Sequence, residues 1–177
     1  QVNTTLNILH AEFFEEQSSI TAIYLAGIGT VGSELLNILS KLKNPHLKLI
    51  GILRSKSMYL NPNGIDSKTA VQNLEIHGIK CDVDEMIIHA QHISNKIFVD
   101  CTTSENLAKL YPKFINNGFS IVAANKKANT LDLKYYSKLN KIIKDKNASF
   151  KYETNVGAGL PIISTIQSLV ESGDRIH

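Results

Sequence analysis

Apolar positions along this chain form short continuous runs separated by stretches of helical spacing. The run Ile20-Thr21-Ala22-Ile23-Tyr24-Leu25-Ala26 is apolar on both alternating sides, as a strand buried on both faces of a sheet must be. After a glycine turn, Val31, Leu35, Leu36, Leu39 and Leu42 recur at helical intervals and predict a helix over 31–42. Further strands are predicted at 47–53, 97–100, 120–124 and 149–152, and helices over 105–117, 131–146 and from Leu160 onward. Residues 55–96 are poorly periodic, with a turn at Asn61-Pro62-Asn63-Gly64, and read as loop plus one or two short helices. At the start, Leu6, Leu9, Phe13 and Phe14 predict a short amphipathic helix, which Gln17-Ser18-Ser19 ends as a linker would.

Strands alternating with helices imply parallel strands joined by right-handed crossovers. The turn after the first strand sharpens this reading. Gly27-Ile28-Gly29-Thr30-Val31-Gly32 is a G-x-G-x-x-G placed directly between a buried strand and a patterned helix, the context in which that weak pattern gains meaning. Gly27 allows the tight turn, Gly29 lets the backbone approach a diphosphate, and Gly32 lets the helix pack on the strand. Amide hydrogens at the helix start, with the positive end of its dipole, would hold the phosphates. The expected fold is α/β, a Rossmann-type doubly wound and mostly parallel sheet with helices on both faces.

The end of the second strand bears on which dinucleotide is bound. An NAD site usually places a carboxylate there for the ribose 2′-hydroxyl, whereas an NADP site substitutes a basic residue. Here the sequence is Arg54-Ser55-Lys56, two cations and a hydroxyl with no acid, which favours NADP(H) and leaves NAD(H) open. Three later strand ends carry polar clusters. Asp100-Cys101-Thr102-Thr103-Ser104 offers hydroxyl and backbone groups to the nicotinamide ribose, Asn125-Lys126-Lys127-Ala128-Asn129 follows a strand directly, and the segment from Glu153 to Pro161 leads into a helix.

Composition removes several alternatives. The 177 residues carry a formal charge of +3 and the lysines are scattered along the chain, so charge gives no nucleic-acid signal. Cys81 and Cys101 are too few for a disulfide framework or a multi-cysteine metal site, and free thiols fit a reducing cytoplasm. No apolar run approaches the ~18 residues of a membrane span, and no signal peptide is visible. His10, His46, His77, His89, His92 and His177 show no ligand spacing beyond the pair His89 and His92. The opening Gln1, with a helical pattern beginning almost at once, reads as a piece of a longer protein.

Val99-Asp100-Cys101-Thr102, then Ala124-Asn125-Lys126-Lys127-Ala128-Asn129-Thr130, then Tyr152-Glu153-Thr154-Asn155-Val156-Gly157-Ala158-Gly159-Leu160-Pro161 resemble homoserine dehydrogenases, in that order after the glycine turn. The stretch Leu9-His10-Ala11-Glu12-Phe13-Phe14 also looks like the tail of the regulatory region in bifunctional aspartokinase–homoserine dehydrogenases. The resemblance implies reversible NAD(P)-dependent interconversion of L-homoserine and L-aspartate 4-semialdehyde, toward threonine and methionine. It implies cofactor contacts from Thr30, Val31, Thr102 and Lys126. It also implies a monovalent cation, sodium, held by Glu153 and by the carbonyls of Val156, Ala158 and Leu160. The family's proton donor is a lysine of a following substrate domain, so 1–17 read as a regulatory tail, 18–160 as the dinucleotide domain and 161–177 as the first helix toward that absent domain. The expectation is a fragment that binds cofactor without turnover, from a full-length homo-oligomer that acts on a small molecule. Ala124, where proline is common, and Arg54, where a small or amide residue is common, depart from the family pattern.

Two other readings compete. Cys101-Thr102-Thr103 is superficially similar to the nucleophilic cysteine segment of phosphorylating aldehyde dehydrogenases, but Asp100 is an unfavourable neighbour for a thiolate and no histidine is near in sequence. A non-catalytic NAD(P)-sensing domain would need a partner-binding module, and none is visible.

Overall fold

The computed structural model describes residues 20–42 and 44–175, so the helix expected around Leu6, Leu9, Phe13 and Phe14 lies outside the described residues. Seven strands form one sheet: β1 (Thr21–Ala26), β2 (Leu47–Leu53), β3 (Ser57–Leu60), β4 (Ile79–Lys80), β5 (Asn95–Asp100), β6 (Phe119–Ala123) and β7 (Phe150–Lys151). Their order is β4-β3-β2-β1-β5-β6-β7. The pairs from β2 to β7 are parallel, while β3 and β4 are antiparallel additions at one edge.

The apolar run of β1 explains its central place. Ala22, Tyr24 and Ala26 enter one core, while Ile23 and Leu25 enter the other. Two helices, α1 (Thr30–Lys41) and α2 (Ala70–His77), cover the second of these through Leu36, Ala70 and Leu74. The opposite face is covered by α3 (Val83–His89), α4 (Glu105–Ala108), α5 (Tyr111–Asn116) and α6 (Leu133–Asp145). There Phe98 stacks on Phe114 with ring centroids 4.2 Å apart. Burying each such ring contributes about 1.5–3 kcal/mol. A last helix, α7 (Ile162–Glu171), has no buried residue.

The expected α/β sheet with helices on both faces is therefore present, and two local expectations need correction. Residues 55–96 contain strands β3 and β4 as well as two helices; these strands are too short and too near an edge to show an alternating pattern. The single helix expected over 105–117 is two, α4 and α5. Pro112 lies in the first turn of α5, where its missing N–H costs nothing but where a continuing helix would need a donor.

One buried cation is structural. Lys96 donates from Nζ to the carbonyls of Ala90 (3.0 Å) and Ile93 (2.9 Å), closing the carboxyl end of α3, where a positive charge is favoured. Burial pushes its ammonium pKa down.

The chain leaves β1 toward β2 on one side and takes up β5 on the other. Between β1 and β5 the winding reverses, and a crevice opens at the carboxyl ends of the strands.

Candidate functional site

Three strand ends converge on Gly27. Its amide donates to the Leu53 carbonyl at 2.9 Å, and the Cys101 amide donates to the Ala26 carbonyl at 2.8 Å. Gly27 has φ +87°, and a Cβ there would lie 2.9 Å from the backbone carbon and oxygen of Cys101. A Cβ on Gly32 would lie 1.9 Å from the Gly27 carbonyl oxygen. Packing alone requires both glycines. Gly29 differs: its φ is an ordinary −73°, and a Cβ there would meet nothing within 4 Å. The fold leaves open space at that position.

Gly29 is also the first residue before α1, with no side-chain cap and no acid in the first turn. The amides at the start of α1 thus lack partners from the helix itself, and they carry the positive end of its dipole. Thr30 and Val31 are exposed, Ile28 is half-buried against the core, and Gly32 is buried under the turn.

Beside the turn lies a cleft of about 570 Å³. It brings Arg54 and Ser55 from the end of β2 together with Thr102 and Thr103 from the end of β5. Its apolar wall comes from Cys81 and Val83, in the poorly periodic 55–96 stretch, and from Leu107 and Leu110, in the region expected to be helical. Arg54 is held in a tight reversal, its amide donating to the Ser57 carbonyl at 2.7 Å. Lys56 and Lys126 are exposed and line no described cleft.

The floor between the β5 and β6 loops is built by a group the sequence reading did not single out. Asp100 is fully buried. One carboxylate oxygen accepts from the Thr102 amide at 2.8 Å; the other accepts from the Tyr111 hydroxyl at 2.8 Å and the Asn125 side-chain amide at 3.0 Å. Asn125 donates further to the Ser104 carbonyl at 2.9 Å and accepts from the Lys127 amide at 3.0 Å. The Asp100–Asn125 pair thereby fixes both loops, placing Thr102 at the cleft and Lys126 next to Asn125. Burial, followed by the charge of Asp100, pushes the Tyr111 hydroxyl far above its ordinary range, so it stays a donor. The sequence marked the Asp100 and Asn125 strand-end clusters separately, but nothing in it joined them to each other or to Tyr111.

The same causes bear on Cys101. Burial, then Asp100, pushes its thiol up to about 11, the wrong direction for a nucleophile. A second, largely apolar cleft of about 540 Å³ contains Cys101 with Thr30, Val31, Val122, Ala124, Glu153 and Thr154, and no histidine lines it.

Glu153, which the resemblance implied as a cation ligand, caps a helix. Its carboxylate accepts from the amides of Ile163 (2.8 Å) and Ser164 (3.0 Å), capping the start of α7 across the glycine loop. The Leu160 carbonyl accepts from the Ile162 amide at 2.9 Å. Two of the four expected sodium donors are thus already committed to protein donors, while Val156 and Ala158 sit exposed in the loop. The sodium expectation finds no support here. Among the described residues, no group of three or more His, Cys, Asp or Glu side chains could hold a metal ion. No helix among them is long and apolar enough to cross a membrane.

Comparison with known proteins agrees with this geometry. A family profile described as homoserine dehydrogenase, NAD binding domain, matches residues 27–153. A bifunctional aspartokinase/homoserine dehydrogenase of Buchnera aphidicola is 38% identical over 95% of this chain, and one of Haemophilus influenzae is 35% identical over 95%. The chain spans only 21% and 22% of the lengths of these relatives. Among solved structures, a Candida auris protein of unknown function matches 88% of this chain and 45% of its own at 30% identity, with a TM-score of 0.78. A hyperthermophilic archaeal homoserine dehydrogenase mutant in complex with NADPH covers 85% of this chain and 49% of its own, with a TM-score of 0.68; at 21% identity it speaks for the fold alone.

Proposed function

Because this chain belongs to the homoserine dehydrogenase NAD-binding domain family, we propose that it is the cofactor-holding part of an enzyme interconverting L-homoserine and L-aspartate 4-semialdehyde. The observation that carries the reading is the open position at Gly29 before an uncapped α1, at the crevice between β1 and β5. The residues present fit a dinucleotide: unpartnered helix-start amides and the dipole suit a diphosphate, and no side chain blocks its approach. When bound, the nicotinamide supplies the hydride that is exchanged with substrate.

The chain's own residues divide the remaining work. The amides following Gly29 hold the diphosphate, and Thr30 and Val31 border it on the side of the second cleft. Arg54, with Ser55 and Lys56, receives a 2′-phosphate and favours NADP(H) over NAD(H). Thr102 and Thr103 face the sugars, and Asp100 and Asn125 are positioning residues that hold the loops bearing Thr102 and Lys126. Residues 18–160 serve as the dinucleotide domain, 1–17 as the end of a regulatory region, and 161–177 as the lead into a substrate domain. The proton donor for the substrate oxygen is assigned to no residue of this stretch. The parent protein, by analogy with its bifunctional relatives, carries aspartokinase as well and acts as a homo-oligomer in the cytoplasm, in threonine and methionine synthesis.

Titrating the chain with NADPH and NADH side by side tests the 2′-phosphate role. Arg54→Ala is expected to weaken NADPH about tenfold or more, the scale of a charge-assisted contact, and to leave NADH within about twofold. An equal loss for both cofactors would reject that role.

A further inference from the structure

We propose that Glu75 sets how strongly this site prefers NADPH to NADH, by competing with the 2′-phosphate for Arg54. The inference deepens the reading of Arg54 given above and rests on it. Arg54 Nη2 lies 3.5 Å from Glu75 Oε1, with the two side chains 42% and 58% exposed. Their backbones are fixed independently. Arg54 sits in the hydrogen-bonded reversal between β2 and β3, while α2 is seated by buried Ala70 and Leu74, which leaves Glu75 on its outer side. No carboxylate lines the cleft that contains Arg54, so Glu75 is the acid that reaches this guanidinium from outside it.

The chemistry gives the effect a sign. A 2′-phosphate is strongly anionic and best received by two parallel N–H groups of a guanidinium fork. Glu75 engages one arm of that fork and places a negative charge beside the phosphate, well within the ~10 Å screening distance at 0.1 M salt. A bare ribose 2′-hydroxyl carries no charge and is not repelled by the same carboxylate, to which a hydroxyl can only donate. Glu75 therefore acts against NADPH and leaves NADH alone, keeping a basic site from excluding the unphosphorylated cofactor. Exposed ion pairs of this kind are weak, so the expected gain on removing the charge is about threefold.

The test is a four-cornered comparison of the wild type, Glu75→Gln, Arg54→Ala and the double variant, each titrated with NADPH and with NADH at low salt. Glu75→Gln is expected to tighten NADPH about threefold, leave NADH unchanged, and lose its effect both in the Arg54→Ala background and at roughly 0.5 M salt. If Glu75→Gln leaves NADPH unchanged or weakened while Arg54→Ala still damages NADPH selectively, the competition is wrong and the 2′-phosphate reading survives. If Arg54→Ala fails to discriminate between the cofactors, the reading beneath the inference fails instead.

Discussion

Gly32→Ala is expected to destabilise the chain by about 3 kcal/mol or more and to weaken dinucleotide binding by at least about tenfold. A methyl group at residue 32 would sit 1.9 Å from the Gly27 carbonyl oxygen, a backbone atom with no rotamer to escape into. Relief requires α1 to move away from β1, which opens the core around Leu25 and Leu36 and carries the helix start away from the crevice. Overpacking of buried sites costs about 1–3 kcal/mol when side chains can adjust, and more when they cannot. For a domain of this size the loss corresponds to a melting temperature lower by roughly 6–12 °C. Thermal unfolding and NADPH titration of the same preparation check both halves. A variant that melts and binds like the parent would mean that the turn is looser than described.

Asp100→Ala is the second large effect, expected to cost about 3 kcal/mol, or roughly 10 °C of melting temperature. The change removes the acceptor for the Tyr111 hydroxyl, the Asn125 amide and the Thr102 backbone. Each buried donor left without a partner costs about 1–3 kcal/mol. Asn125 is 2% exposed and Tyr111 wholly buried, so neither donor has ready access to bulk water. Because Thr102 and the loop bearing Lys126 are placed through this group, cofactor binding should weaken in step with stability. Tyr111→Phe separates the roles, since it removes one donor to the carboxylate and leaves both loops attached; it should cost about 1 kcal/mol and bind cofactor nearly as well. Loss of stability with intact binding in Asp100→Ala would confine Asp100 to the core.

These two predictions also mark where the sequence was and was not sufficient. Gly32 was legible because the need for a bare backbone is local: it follows from a strand, a turn and a helix in sequence. So were β1, β2 and β5, whose apolar runs reflect burial on both faces, and β6, whose apolar run buries Phe119, Ile121 and Ala123 on one face and leaves Val122 exposed on the other. Asp100 was legible as part of a polar strand end and as an awkward neighbour for Cys101, but not as the hub of a buried network. Its partners lie on α5 and on the loop after β6, and no periodicity announces a hydrogen bond between residues 100 and 125. Glu75 escaped notice for the same reason, being joined to Arg54 by a helix packed on a neighbouring strand. In the case of Glu153 the resemblance suggested a cation ligand, but the glycine loop turns α7 back so that its first amides meet that carboxylate.

The glycine turn itself offers the most direct measurement. A side chain at residue 29 has open space around it, with no atom within 4 Å of its Cβ, so Gly29→Val should fold and melt like the parent. If the amides before α1 cradle a diphosphate, the isopropyl group occupies the approach, and titration should show NADPH and NADH both weakened by about two orders of magnitude or lost (~2.8 kcal/mol or more). A folded Gly29→Val protein that binds either dinucleotide as the parent does would contradict the account.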